Sequence, residues 1–505
     1  MRSETQKRKL FEESPVIKAI FNLAIPSIVG QIILVIYNMA DTFFVGLSGS
    51  DDMITAVTVC MPAFMFLSAI SNLFGVGGAS VISRSLGQQD EDRARSTAAF
   101  AIWGCIAVTA LYSLGAFLFK DSFIRLLGGK TPIVHKQAVS YLIVTVVCGG
   151  IVTAMNTLLA HLVRAEGRSL QASIGIALGG VLNIGLDPLF MFVIIPGQWA
   201  LGAAIATALS NVVALVYYIV IIVRQRKELV LSVRPSRRMF DSAIPRDVVI
   251  SGVPACLMTL CENISYAVLD NLMHTAGSAT AAGPAAAQAG VGVAKKVNML
   301  AHSIVRGMTQ GVLPLIGYNY GSGNRKRMRA TVYQSAAISI GISVVCMTIS
   351  LIWARPLVSV FIQTEGGSLA FGATFLRILC VGAPFSACAY TVISFFQATG
   401  RGFKSLTLAL MRKGALDIPM MFLFFNLFDP ANKFFNQANG IVLATPVADL
   451  ICCVVAIVLF FHFLGKHGND PAPALRDDLL IDADMKPAEV QIPLPETDAQ
   501  KHVNV

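Results

Sequence analysis

VIKAIFNLAIPSIVGQIILVIYNMADTFFVG, residues 16–46, decides what kind of fold this chain adopts. It is an apolar run longer than the about 20 residues a helix needs to cross a hydrocarbon core, yet near its end it carries an acid, Asp41, among hydrophobic neighbours. In lipid a central Asp costs about 2.5 to 3.5 kcal/mol on insertion scales. A membrane chain that keeps such a residue has a use for it.

Composition establishes that the surroundings are lipid. The 505 residues are 55% hydrophobic and 13% charged, with a mean hydropathy of +0.67, against about 25% charged residues in soluble domains. Twelve such runs are predicted, at 16–46, 54–82, 97–119, 138–163, 170–195, 201–223, 248–273, 287–316, 331–353, 369–398, 406–428 and 440–464. The small-residue stretch HTAGSATAAGPAAAQAG, 274–290, reads as a loop before the eighth span, with extension of that span as the alternative. The fold class is therefore all-α integral membrane.

The net charge of +10 would suit nucleic acid, but its distribution argues for a membrane orientation instead. With the N-terminus inside, the inner segments before the last span hold 23 Lys and Arg and the outer loops six, the positive-inside pattern. Both termini are expected in the cytoplasm, with no nucleic-acid partner. The first run is too long for a signal-peptide core. All ten Cys fall in apolar spans, with no disulfide framework and no metal spacing.

Internal comparison organises the runs. GQQDEDRARST from Gly87 matches GSGNRKRMRAT from Gly321 at an offset of 234, and RAEGR from Arg164 matches QATGR from Gln397 at 233. GAAIAT (202–207) matches GIVLAT (440–445) at 238, and Pro26 matches Pro254 at 228. Four matches in order imply a duplicated six-span unit. Six is even, so the copies form two six-helix bundles related by a pseudo-two-fold along the membrane normal, with a cavity between them. The expected divisions are a cytoplasmic N-terminus (1–15), an N-terminal lobe (16–223), a basic linker (224–247), a C-terminal lobe (248–465) and a disordered cytoplasmic tail (466–505).

Six acids lie inside spans: Asp41, Asp187, Glu262, Asp270, Asp417 and Asp449. Asp417 and Asp449 read as packing groups, and Asp449 is expected to tolerate Asn. Asp41 and Asp187 read as functional, because unpaired intramembrane acids mark ion pathways or proton relays. In NIGLDP, Asn183 and Asp187 share a helical face, and Pro188 frees backbone carbonyls. With a hydroxyl from Thr207 and a second carboxylate from Asp41, this set would hold Na+ through oxygen ligands or a proton shared between carboxylates. The plainer reading is a Pro-kinked helix with a capping Asn. In the second lobe, Lys295, Met299, His302 and Arg306 form one stripe, which Glu262 and Asp270 would either pair as a buried ion network or leave to face a cavity. Gln31, Tyr37 and Asn38 are further candidates for substrate contact. Without a P-loop, HExxH or CxxC there is no enzyme signal, and the energy source must be an ion gradient.

These residues resemble the multidrug and toxic compound extrusion (MATE) family. The resemblance runs from about Leu23 to about Phe463 and rests on IPSIVGQIILVIYNMADTFFVG, GVGGASVISRSLGQQD, RAEG with NIGLDPLFMF, PLIGYNYGSGN, FQATGRG and GIVLATPVADL. DTFFVG and NIGLDP look like the DinF-like branch, for which the resemblance implies a cation or proton site at Asp41, Asn183, Asp187 and Thr207. Glu262 instead resembles an acid of NorM-like members. The family implies a V-shaped pair of bundles that exports cationic or amphiphilic compounds in exchange for H+ or Na+ by alternating access. The chain would act as a monomer in the plasma (inner) membrane, with no cofactor, and MPAFMF (61–66) would supply adaptable walls. A lipid-linked oligosaccharide-type flippase shares this plan and would use the Lys295 stripe for a pyrophosphate; a non-transporting sensor would have no need of Asp41. If the topology is right, a tag placed at Gly468 stays unlabelled when intact cells are treated with a membrane-impermeant reagent.

Overall fold

The computed structural model describes residues 8–47, 51–128, 131–235, 237–241, 243–278, 283–362, 366–429, 432 and 436–467, and among them every regular element is helical. That follows from the solvent. In hydrocarbon the backbone must satisfy its own polar groups, which a helix does within one segment.

Twelve rods are formed. In the first lobe they are α1 (Val16–Leu47), α2 (Asp51–Gly87), α3 (Glu91–Leu118), α4 (Pro132–Cys148 and Gly150–Ala165), α5 (Ser169–Ile194) and α6 (Trp199–Arg224). The second lobe comprises α7 (Ala243–Ser278), α8 (Gly283–Gly321), α9 (Arg325–Ile352), α10 (Gly367–Cys380 and Ala383–Ala398), α11 (Gly402–Leu410, Met411–Ala415 and Asp417–Leu427) and α12 (Gln437–His467). Eight rods, and the bent pairs α4 and α10, are long and apolar enough to cross a membrane. The other two are set apart by charge: α8 carries Lys295, Lys296 and Arg306, and α11 carries Arg412, Lys413 and Asp417.

The duplication is visible in the bends. The break of 50° in α4 falls at Gly149 and that of 46° in α10 at Gly382, 233 residues apart, which is the offset of the RAEGR and QATGR match.

One expectation changes at an element end. Most of 274–290 is helix, since α7 runs to Ser278 and α8 starts at Gly283, with 279–282 outside the described residues; alanine-rich sequence has the highest helix propensity. At the N-terminus, a helical turn at Lys9–Glu13 buries Phe11 against the second lobe. Its ring stacks on Tyr318 at 4.7 Å, and Arg327 donates to its carbonyl at 2.7 Å. Residues 1–7 and the tail from 468 lie outside the described residues.

Packing gives the molecule a V shape. On the side carrying the start of α1 and the end of α12, one apolar core joins both lobes, from Leu23 and Val81 to Met308, Phe395 and Phe460. On the opposite side this core divides in two, Val45 to Ala204 within the first lobe and Leu269 to Ala444 within the second. The joined half is close-fitted where α2 meets α7: a Cβ on Gly252 would lie 1.8 Å from the Leu73 carbonyl oxygen. Polar contacts cross the same seam, Gln31 to Gln310 at 3.1 Å, Asn72 to Thr259 at 3.0 Å and an ion pair between Arg93 and Asp247. Since backbone there cannot yield as a side chain would, Gly252→Ala is expected to cost about 1–3 kcal/mol, the usual cost of overpacking, seen as a lower melting temperature of the purified protein.

Candidate functional site

The first polar cluster lies where α1, α5 and α6 converge. The helices α1 and α5 run in the same direction. A Cβ on Gly30 would sit 3.2 Å from Ser173, and one on Gly180 would sit 3.5 Å from Tyr37, so residue numbers across the contact differ by 143 in both cases. Extended along both helices, that register sets Asp41 beside Ile184, within a turn of both Asn183 and Asp187. Asp41 lies within electrostatic reach of Asp187, Tyr37 and Tyr141.

Asn183 donates to Asp187 Oδ1 at 3.1 Å and to Thr207 Oγ1 at 3.3 Å. Both the Asn183 and Asp187 side chains are buried. The decisive feature is what is missing: Asp41 Oδ1, Asn183 Oδ1 and Asp187 Oδ2 are buried with no donor among the described residues. Unmatched acceptors normally cost about 1–3 kcal/mol each, more when charged. Three acceptors and two carboxylates at one place form a set that a small cation or proton would complete, by the oxygen ligation that hard cations take.

The second lobe reverses this condition. Lys295 reaches Asp270 at 2.6 Å, and Arg306 is paired with Glu262 and donates to the Tyr390 hydroxyl at 3.4 Å. His302 Nδ1 is 3.4 Å from Ser386 Oγ. Lys295 and Arg306 of the stripe predicted on α8 thus each meet an acid of α7, the Asp270 side chain being half exposed. Two basic residues escaped the sequence reading altogether. Arg412 donates to Asp449 at 2.7 Å, both side chains 2% exposed, and Lys413 to Asp417 at 3.0 Å, with 4% and 0% exposed. Asp449 is therefore more than the tolerant packing group expected of it. The missed signal was MRKGALDIP, in which Lys413 stands four residues before an acid, the spacing of Asn183 to Asp187.

Of the three other candidates on α1, Gln31 belongs to the seam through Gln310, Tyr37 packs toward Gly180, and Asn38 donates to its own helix at Leu34 O, 2.8 Å. Within MPAFMF, Phe66 stands 4.8 Å from Tyr112 of α3, so its ring engages a neighbour within its own lobe.

Two bundles joined at one end, with an uncompensated acidic cluster in one of them, define a polytopic membrane protein of carrier type. The chain belongs to the MatE family, whose model matches residues 26–189 and 254–423, one segment in each lobe. It is 28% identical over 476 residues to the multidrug export protein MepA of Staphylococcus aureus (strain NCTC 8325 / PS 47), covering 94% of this chain and 97% of that one. The MepA protein of Staphylococcus haemolyticus (strain JCSC1435) is 26% identical over 463 residues, covering 92% and 97%. Among solved structures, an outward-facing multidrug resistance MATE family transporter of the MOP superfamily superposes with a TM-score of 0.81 at 24% identity, covering 91% of this chain and 98% of that one. A MATE structure in complex with MaL6 gives 0.81 at 23% identity, with the same coverage. These structures share the two-bundle, twelve-helix fold.

The balance of charge in the second lobe has a measurable consequence. Asp449→Asn leaves Arg412 buried without its partner, and such breakage costs about 3–5 kcal/mol. Thermal or denaturant unfolding in detergent is expected to detect this loss, while Asp41→Asn, which removes the charge of a carboxylate whose Oδ1 has no donor among the described residues, leaves stability equal or higher.

Proposed function

We propose that this chain is a secondary active antiporter that exports cationic or amphiphilic compounds in exchange for H+ or Na+, with the coupling ion taken up in the first lobe. The observation that carries this reading is the trio of buried acceptors without donors at Asp41, Asn183 and Asp187. Family membership and the names of the Staphylococcus relatives, multidrug export proteins, support the direction and class of transport. The positive-inside count supports a plasma-membrane orientation with both termini cytoplasmic, in which the V opens outward. The protein acts as a monomer on small molecules in the bilayer or the cleft, without cofactor or nucleic acid.

Coupling follows from charge. With the cluster empty, two carboxylates face each other across α1 and α5; an ion or proton relieves that repulsion and favours one packing of the lobe. A ligand shifts a conformational equilibrium only by its differential affinity for the two states. The cluster has such a difference if closing the lobe completes the ion's oxygen shell. A cationic compound in the cleft competes with the ion for the same negative field, and linkage makes each weaken the other's binding by an equal factor.

Asp41→Asn retains size and hydrogen bonding but removes charge and titration. In liposomes with a pH gradient and a sodium gradient imposed separately, the variant is expected to export ethidium at the background rate under both, with insertion intact, and Asp187→Asn at a reduced rate. Native-rate export by Asp41→Asn under both gradients would make the acid structural and end this reading.

A further inference from the structure

The second lobe contains a copy of the first lobe's ion cluster, and the copy is filled by the protein itself. Asn183 and Asp187 stand four apart on α5; Lys413 and Asp417 stand four apart on α11, each pair displaced by 230 residues from the other. Thr207 of α6 contacts Asn183, and Thr445 of α12, its repeat partner, donates to Asp417 Oδ1 at 2.9 Å. Ser265 of α7 donates to Asp417 Oδ2 at 2.6 Å. By the Pro26 to Pro254 offset of 228, Ser265 takes the position of Tyr37 and Leu269 that of Asp41. Both copies are flanked by proline, Pro188 and Pro419, and by a wide helical turn, Leu189–Ile194 after the first pair and Met411–Ala415 through the second.

The copies differ in charge and in satisfaction. Among the described residues, the first has two carboxylates, no cation and three acceptors without donors; the second has one carboxylate, one ammonium and no such acceptor on Asp417. Where Asn183 donates a neutral amide hydrogen, Lys413 delivers a full positive charge at 3.0 Å from the matching acid. We infer that Lys413 is a tethered cation occupying the second lobe's copy of the ion site, so that the transporter has a single site for a mobile coupling ion, and that replacing the lysine by the residue of the first lobe opens a second site for a small monovalent cation.

The inference rests on the first-lobe reading above only for the word coupling, and the test separates the two. Binding of 22Na+ and Na+-dependent shifts in melting temperature are measured on purified full-length protein in detergent, with N-methylglucamine as the control cation. In an Asp41→Asn background, which silences the first lobe, adding Lys413→Asn is expected to create one saturable Na+ site per chain, with melting temperature rising as Na+ is added, as binding to the native state requires. Adding Asp417→Asn to that variant should abolish the site. The reciprocal change, Asn183→Lys in the otherwise native chain, should fold, since a lysine already fits the equivalent position, and should lose both Na+ binding and gradient-driven export. The inference is overturned if folded Asp41→Asn/Lys413→Asn protein binds no Na+, or if Asn183→Lys fails to fold or binds Na+ like the native chain. Should the lysine removal itself prevent folding, the Asn183→Lys arm decides. If native protein binds no Na+ while Asp41→Asn/Lys413→Asn does, the Na+ form of the first-lobe reading fails, its proton form is decided by the liposome assay above, and this inference stands.

Discussion

Charge buried in a low-dielectric interior must be balanced, and the organisation of this protein follows from how each lobe meets that demand. In the second lobe four acids face four basic groups: Glu262 with Arg306, Asp270 with Lys295, Asp417 with Lys413 and Asp449 with Arg412. Tyr266 and Tyr390 sit among these groups, with Arg412 over the Tyr390 ring at 4.2 Å and Lys295 over that of Tyr266 at 5.1 Å. Such pairs gain little net stability over apolar packing, and the two fully buried ones, Arg412 with Asp449 and Lys413 with Asp417, are costly to break. Their effect is to fix the relative positions of α7, α8, α11 and α12. The first lobe leaves Asp41 Oδ1 and Asp187 Oδ2 buried without a donor among the described residues, and the proposal above gives that place to an external ion.

The division of labour between lobes fits a V that must rock. Near the start of α1 and the end of α12 the lobes share one apolar core and meet at backbone-to-backbone distance, while at the far side each has its own core. A lobe locked by ion pairs moves as a unit. Under the antiport proposed above, the lobe whose buried acceptors lack donors is the one whose packing would respond to an ion. The seam contacts Gln31 with Gln310 and Asn72 with Thr259 are neutral hydrogen bonds of modest net worth, while the ion pair of Arg93 with the buried Asp247 ties the lobes more firmly.

Charge also explains where hydropathy alone stops short. The two rods that fall outside an apolar-length criterion, α8 and α11, are the ones that carry the network's cations. Four of their basic residues, Lys295, Arg306, Arg412 and Lys413, have acidic partners within contact distance, on α7 and α12 or one turn along α11 itself.

The sequence by itself determined the membrane class and the duplicated two-bundle plan, because span length and repeat offsets are properties of the linear chain, and it singled out Asn183, Asp187 and Thr207, which the structure brings into contact. Asn183 and Asp187 could be joined from spacing alone, since four residues is one helical turn. Whether an acid is paired is a different kind of fact. It depends on side chains brought together from distant segments, such as Arg412 with Asp449, 37 positions apart, or Ser265 with Asp417, 152 apart. No periodicity encodes those contacts, and Arg412 and Lys413 pass as part of a span when read in one dimension. Only the tertiary structure decided which acids are balanced, because balance is a property of neighbours in space, and the low dielectric makes that property decisive for function.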